Sequence, residues 1–135
     1  MRIFIVFFGF IVGVGLLLSF TSNVNIGDPW KAPDKYVKMK NPVAADASSI
    51  AAGKTLYNKH CGSCHGKKGL GDGSKAAQLD TNPGDFSEKS FTSQTDGSLF
   101  YKTLEGRDEM PSFKKKIPDE DDIWSVINYI RTFSK

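Results

Sequence analysis

The stretch NKHCGSCHGKKGLGDG, residues 58 to 73, holds both cysteines and both histidines of the chain. Thiols and imidazoles this close can bind a metal, exchange electrons as a dithiol, close a disulfide or hold a cofactor. Their spacing discriminates among these. A structural zinc ion needs four ligands arranged around it, and His60, Cys61, Cys64 and His65 fall within six residues, too crowded to surround one ion. A C-x-x-C redox dithiol belongs next to a βαβ pattern, and no strand pattern precedes Cys61. A Cys61–Cys64 disulfide would close so short a loop that it stabilises little, and it gives His65 no role.

Cys61-Gly62-Ser63-Cys64-His65 has the attachment spacing of a c-type haem. Two thiols saturate the two haem vinyl groups as thioethers, and the histidine after the second is placed to bind iron through a ring nitrogen. Another iron ligand must then come from elsewhere in the chain. His60 adjoins the anchored loop and is expected on the wrong side, which leaves Met39, Met110 and a lysine as candidates. Met110 sits in GRDEMPSF, where Pro111 favours extended backbone before it. Forty-five residues separate it from His65, enough for a loop and a short helix to travel around a flat ring.

These residues need elements to position them, and the apolar periodicity supplies helices. Ser48 to Cys61 reads as a helix with Ile50, Gly53, Leu56 and Tyr57 on one face and Ser48 or Ser49 as its cap. It runs straight into the cysteine motif. The C-terminal stretch PDEDDIWSVINYIRTFSK begins with a proline and four acids, which complement a helix N-terminus. Ile123, Trp124, Ile127 and Ile130 then make a broad apolar face for the first helix, where Gly53 lets the backbones approach. A further helix is expected over Asp96–Gly106, with Asp96 as cap and Gly106 as stop. Gly- and Pro-rich loops join them, and with no alternating strand pattern the class is all-α.

Ahead of this lie two segments of different character. Arg2 to Phe20 has one basic residue followed by 18 that are apolar, Gly or Ser. As a helix it would be roughly 27 Å long, about the thickness of a hydrocarbon core. Residues 1–22 are therefore read as a hydrophobic helix serving as a signal peptide or a membrane anchor. Ser19 and Thr21 make only a weak cleavage site, and Lys31, Lys35, Lys38 and Lys40 run against the positive-inside bias for an exported domain. Haem attachment on the outer side of an energy-transducing membrane outweighs that bias, so export is expected. Residues 23–47 have three prolines and no helical period and read as a linker or wrapping arm, with Trp30 and Tyr36 packing on the domain or lying at the membrane interface. Residues 48–135 form the one domain that 135 residues allow.

Composition excludes some partners. Charged residues are 24% and hydrophobic ones 39% of the chain, and the net charge is +3, with no Arg-rich run or basic aromatic stripe of the kind that binds nucleic acid. Nine lysines between Lys31 and Lys75 face three acids. Lys67, Lys68 and Lys114 to Lys116 flank the two candidate haem loops and are expected to form a docking ring for an acidic partner.

From about Ile50 to Ser134 the chain resembles the small mono-haem class I cytochromes c. The likeness is carried by GKTLYNKHCGSCHGKKGLGDG, by MPSF at Met110 to Phe113, by Gly53 and Tyr57 facing the closing helix, and by IWSVINYIR near the end. It implies three to four helices packed around a single covalently bound haem c, with Cys61 and Cys64 as thioether anchors, His65 as proximal and Met110 as distal iron ligand. The function implied is electron transfer between redox proteins of a respiratory chain, such as a quinol-oxidising complex, a terminal oxidase or a dehydrogenase, on the periplasmic side of the membrane, without catalysis. An enzyme or sensor activating peroxide or sensing a gas would instead require the Met110 position to be open. Pro83 is the expected carbonyl partner of His65. Phe86, Phe91, Leu99, Phe100 and Phe113 are expected to line the pocket, Arg107 to approach a haem propionate or point to solvent, and Met39 to be a surface or arm contact.

Overall fold

The structure, a computed structural model, describes residues 29–134. Among these, no helix is long and apolar enough to cross a membrane; the stretch Arg2 to Phe20 lies outside them. The regular elements of the described residues are all helical, with an isolated bridge between Arg107 and Met110 as the nearest approach to a strand. The helices are α1 (Asp34–Val37), α2 (Ala47–His60), α3 (Gly62–His65), α4 (Lys89–Thr92), α5 (Asp96–Glu105) and α6 (Glu120–Arg131), with a 3₁₀ turn at Ala76–Gln78.

The core is the crossing of α2 and α6. Every residue of α6 from Ile123 to Ile130 is buried, because its apolar stripe is flanked by small polar side chains that bond locally, as when Ser125 Oγ donates to the Asp121 carbonyl. Gly53 sits at the crossing, where an added Cβ would lie 2.0 Å from the Ser125 carbonyl oxygen. One turn further on, Tyr57 is fully buried, edge-on to Tyr129 and Phe133, and its hydroxyl donates to the Gly66 carbonyl at 2.7 Å. That bond ties the core to the loop that follows the cysteine motif. On the other side of α6, Trp124 stacks on Phe100 of α5, ring centroids 4.1 Å apart and planes within 9°.

Caps fix where the helices begin, and two differ from expectation. Asp46, not Ser48 or Ser49, caps α2: its carboxylate accepts from the Ser49 amide while the Ser49 hydroxyl accepts from the Asp46 amide, a reciprocal box that satisfies two orphan donors. Thr95, not Asp96, caps α5. Asp96 lies in the first turn, where it pairs with Arg131 at 2.7 Å and so links α5 to α6. Asp119 caps α6, followed by Glu120, Asp121 and Asp122 in the first turn, as a positive helix N-terminus favours. Gly106 ends α5 at φ +70°.

The arm is more ordered than its prolines suggest. It forms the short α1, sets Tyr36 against Tyr101 and Phe100, and brings the Tyr36 carbonyl so close to Gly97 that a Cβ there would overlap it. Farther along, the buried Asn128 of α6 straps the arm down. Its amide nitrogen faces the Val43 and Ala44 carbonyls and the Ser49 hydroxyl, and its oxygen accepts from Asn41 at 2.8 Å. Replacing Asn128 by Leu leaves these arm groups without partners in a buried site, a loss of about 1–3 kcal/mol for unsatisfied polar groups. Asn128→Leu should therefore lower the denaturant midpoint at unchanged slope; a change under about 0.5 kcal/mol, the range of ordinary surface substitutions, would show that the strap contributes nothing.

Candidate functional site

The cysteine motif gets its geometry from a break in α2. Cys61 is both the last cap of α2 and the first of α3, and the chain resumes for one helical turn to His65. In a helical turn, residues three and four apart share a face, so Cys61, Cys64 and His65 turn the same way. The next loop folds back on α3: the amides of Gly71, Gly73 and Lys75 donate to the carbonyls of His65, Cys64 and Ser63 at 2.8–3.1 Å. The motif is held from both sides.

Met110 arrives on a separate, equally fixed loop. Arg107 and Met110 exchange two backbone hydrogen bonds of 2.9 Å across a turn in which Asp108 takes φ +52°, a conformation that Asp tolerates better than most residues. Beyond it, Ser112 Oγ donates to the Leu104 carbonyl at 2.7 Å. Glu109 accepts from the Thr81 amide at 2.9 Å, which joins this loop to the one bearing Pro83.

Two adjoining cavities open between these loops, of about 240 and 280 Å³. Cys61, Cys64 and Phe113 line the first, and Phe86, Phe91, Leu99 and Thr103 the second. Four residues line both: Trp30, His65, Pro83 and Met110. His65 and Met110 therefore face one continuous space. Phe100 is not on it; one position past Leu99, it is rotated about 100° around α5 and stacks on Trp124 instead. Met39 lines neither cavity but packs against Gly97 on the arm side.

His60, expected on the wrong side, lines the first cavity with its ring edge-on to Phe113. It keeps that position because α2 ends at this residue, before the break at Cys61 turns the chain. Burial lowers its pKa from the ordinary value, and Lys59 and Lys116 lower it further; Lys116 Nζ lies 5.5 Å over the ring of Phe113, which lines the same cavity. Lys67, Lys68, Lys115 and Lys116 are exposed, while Lys114 is engaged with Glu105 at 2.6 Å.

The chemistry of the wall is that of a cofactor crevice. Cys61 and Cys64 are unjoined thiols. Burial, with Cys64 adding to it, pushes the Cys61 thiol up to about 12, the reverse of the lowered pKa that makes a reactive redox cysteine. Burial also lowers the His65 pKa, opposed by the Pro83 carbonyl, leaving at neutral pH the uncharged imidazole that a metal ligand requires. Its Nδ1 is buried and no hydrogen bond of normal geometry closes on it, so Pro83 is near without yet satisfying it. The ring itself packs against Phe86, centroids 4.6 Å apart and planes tilted by 33°. An apolar crevice with two thiols, an uncharged imidazole and a thioether lining it fits a covalently attached haem. Among the described residues, no three His, Cys, Asp or Glu side chains gather as a metal-ion cluster.

The comparisons agree with this chemistry. The family model described as cytochrome c oxidase, cbb3-type, subunit III, matches residues 48–130, more than half of the chain. The chain belongs to this family. Its cytochrome domain is all-α, of the cytochrome c fold, carries covalently attached haem c and serves haem-based electron transfer. Among solved structures, the chain is similar to the Kuenenia stuttgartiensis reducing HAO-like protein complex, with a TM-score of 0.63 and 25% identity over 82% of this chain and 53% of that one. It thus spans about half the length of that relative. It is also similar to the KustC0563 c-type cytochrome, TM-score 0.54 and 26% identity, covering 62% of this chain and 98% of that one. Cytochrome cL from Hyphomicrobium denitrificans shares the fold at a TM-score of 0.53 and 20% identity, over 78% of this chain and 65% of that one. No curated protein matches the chain.

Trp30, His60 and Lys102 are among the residues on this space whose place the sequence did not reveal. A signal existed for Trp30: a large apolar ring in a proline-rich arm with no helix face of its own must be covered by something.

Proposed function

We propose that the cytochrome domain is a one-electron carrier whose haem would be held by Cys61 and Cys64 as thioethers and by His65 and Met110 as ligands to its iron. The observation that carries this reading is that His65 and Met110, from loops forty-five residues apart, line the same two cavities. Held by these residues, the haem would supply reversible one-electron chemistry, and the Met110 thioether would raise its reduction potential. The chain's own part is to keep both ligands in place in either oxidation state. The paired Arg107–Met110 backbone bonds and the loop folded back on α3 resist displacement of either ligand, and the apolar wall of Phe86, Phe91 and Leu99 keeps water from the crevice.

The partners are redox proteins of a respiratory chain: a quinol-oxidising complex, a terminal oxidase or a dehydrogenase. Lys116, over the ring of Phe113 at the first cavity, suits an acidic partner surface better than Lys114, which Glu105 already engages. Residues 1–22 act as the export signal or anchor that delivers residues 48–135 to the periplasmic side, with 23–47 as the connecting arm.

The test is the visible spectrum of the purified, reduced protein before and after carbon monoxide. A low-spin c-type spectrum unchanged by the gas is expected. A rapid shift would mean an open iron position and would replace the carrier reading with that of a peroxidase or gas sensor.

A further inference from the structure

The arm contributes a side chain to the crevice that the family match does not include. Trp30 lies ahead of the matched residues 48–130, yet it lines both cavities beside His65, Pro83 and Met110. Two cations lie over its ring: Lys102 Nζ of α5 at 5.4 Å and Arg107 Cζ of the Met110 loop at 5.0 Å from the centroid, both within cation–π range.

Within this arrangement it is Lys102 that has no ion pair among the described residues. Lys102 lines the second cavity, is only half-exposed, and has its ammonium disfavoured by burial first and by Arg107 second. The polar partner of its Nζ is the neutral side-chain amide of Gln94. Among the described residues no carboxylate lies within ion-pair distance of it. Of the two carboxylates that line the same cavity, Asp85 accepts from Ser87 and Glu88 from Ser90. Arg107, whose side chain pairs with Asp108 at 3.2 Å, lines the first cavity. A partly buried ammonium without an anion, close to a guanidinium and on the wall of a cavity, is stabilised if what fills the cavity brings negative charge there. Haem carries two carboxylates on one edge.

We propose that Lys102 and Arg107, held together by Trp30, form the seat of the haem carboxylates, so that the N-terminal arm completes the cofactor crevice. The proposal rests on the haem reading above. Lys102 and Arg107 bind the carboxylates; Trp30 is a positioning residue that acts through them.

The experiment uses the full chain with its haem attached, as wild type and as Lys102→Gln, Lys102→Arg, Trp30→Phe and Trp30→Leu. Covalent loading is read from the intact mass, and the reduction potential from a spectroelectrochemical titration. Loss of the Lys102 charge leaves a carboxylate charge uncompensated beside the iron and favours the ferric state. Lys102→Gln is expected to shift the one-electron equilibrium toward the oxidised form about tenfold, ~59 mV. Lys102→Arg should restore most of the wild-type value, Trp30→Leu should move it in the same direction as Lys102→Gln, and Trp30→Phe should stay close to wild type. A loaded Lys102→Gln protein with the wild-type potential, or a Lys102→Arg protein that fails to restore it, overturns the seat while leaving the haem reading intact. A wild-type chain without covalent haem overturns both.

Discussion

Met110→Ala is expected to leave a folded, haem-loaded protein that binds carbon monoxide rapidly in its reduced form and has a lower reduction potential than the wild type. The loop should survive the substitution because its anchors are not the Met110 side chain. They are the two Arg107–Met110 backbone bonds, the Ser112 hydroxyl on the Leu104 carbonyl and the Phe113 side chain, which is buried. Met110 is only partly buried, so the truncation should cost near the lower end of the usual range for a core methionine, about 2 kcal/mol. What is removed is the thioether that faces His65 across the crevice. With it goes the preference for ferrous iron that a Met ligand confers, hence the lower potential. His60 is the complication, because it lines the first cavity and is a nitrogen donor. If Met110→Ala still excludes carbon monoxide, Met110→Ala with His60→Ala separates the cases: an opening in the double variant identifies His60 as a replacement ligand. If the double variant also stays closed, Met110 is not the ligand.

Chemistry was more legible in this chain than placement. The five residues from Cys61 to His65 point to haem because they do so through bond-forming groups at a fixed spacing, and that spacing survives any detail of packing. The helices over 96–105 and 120–131 were readable because their apolar periods and stop signals are local. Tertiary bonds are not. The Asn128 strap joins residues more than eighty positions apart, so no window of sequence contains it, and the arm it orders read as a linker. Phe100 was misassigned to the pocket because residues 99 and 100 are equally apolar, while only the position of Trp124 decides which of them turns to α6. His60, next to the anchored loop, reads as carried away from the crevice. The break in the helix comes one residue later, at Cys61, and a one-residue boundary is finer than periodicity resolves.

The same crossing that makes the fold readable also makes it vulnerable. Gly53→Ala is expected to destabilise the domain by at least about 3 kcal/mol, the upper end of ordinary overpacking. The new methyl would lie 2.0 Å from the Ser125 carbonyl oxygen and 2.5 Å from its carbon, with the Val126 nitrogen at 3.0 Å. All three are backbone atoms of α6, so no rotamer change relieves the overlap. The helices must separate, and every α6 residue from Ile123 to Ile130 is buried in the packing that separation would loosen. In a domain of about a hundred residues, each kcal/mol shifts the melting temperature by roughly 4–8 °C, so thermal unfolding should show a fall of more than about 12 °C. The sign makes the test decisive. Alanine is the better helix former by about 1 kcal/mol, and at the exposed neighbour Ala52 the reverse change, Ala52→Gly, should cost about that much and no more. A Gly53→Ala protein that melts at or above the wild-type temperature would mean that propensity outweighs contact here, and that α2 and α6 are not pressed together at this point. If the crossing is as close as described, the damage should not stop at stability. α2 carries Cys61 at its end, so its displacement should also reduce the fraction of chains that acquire covalent haem, read from the intact mass.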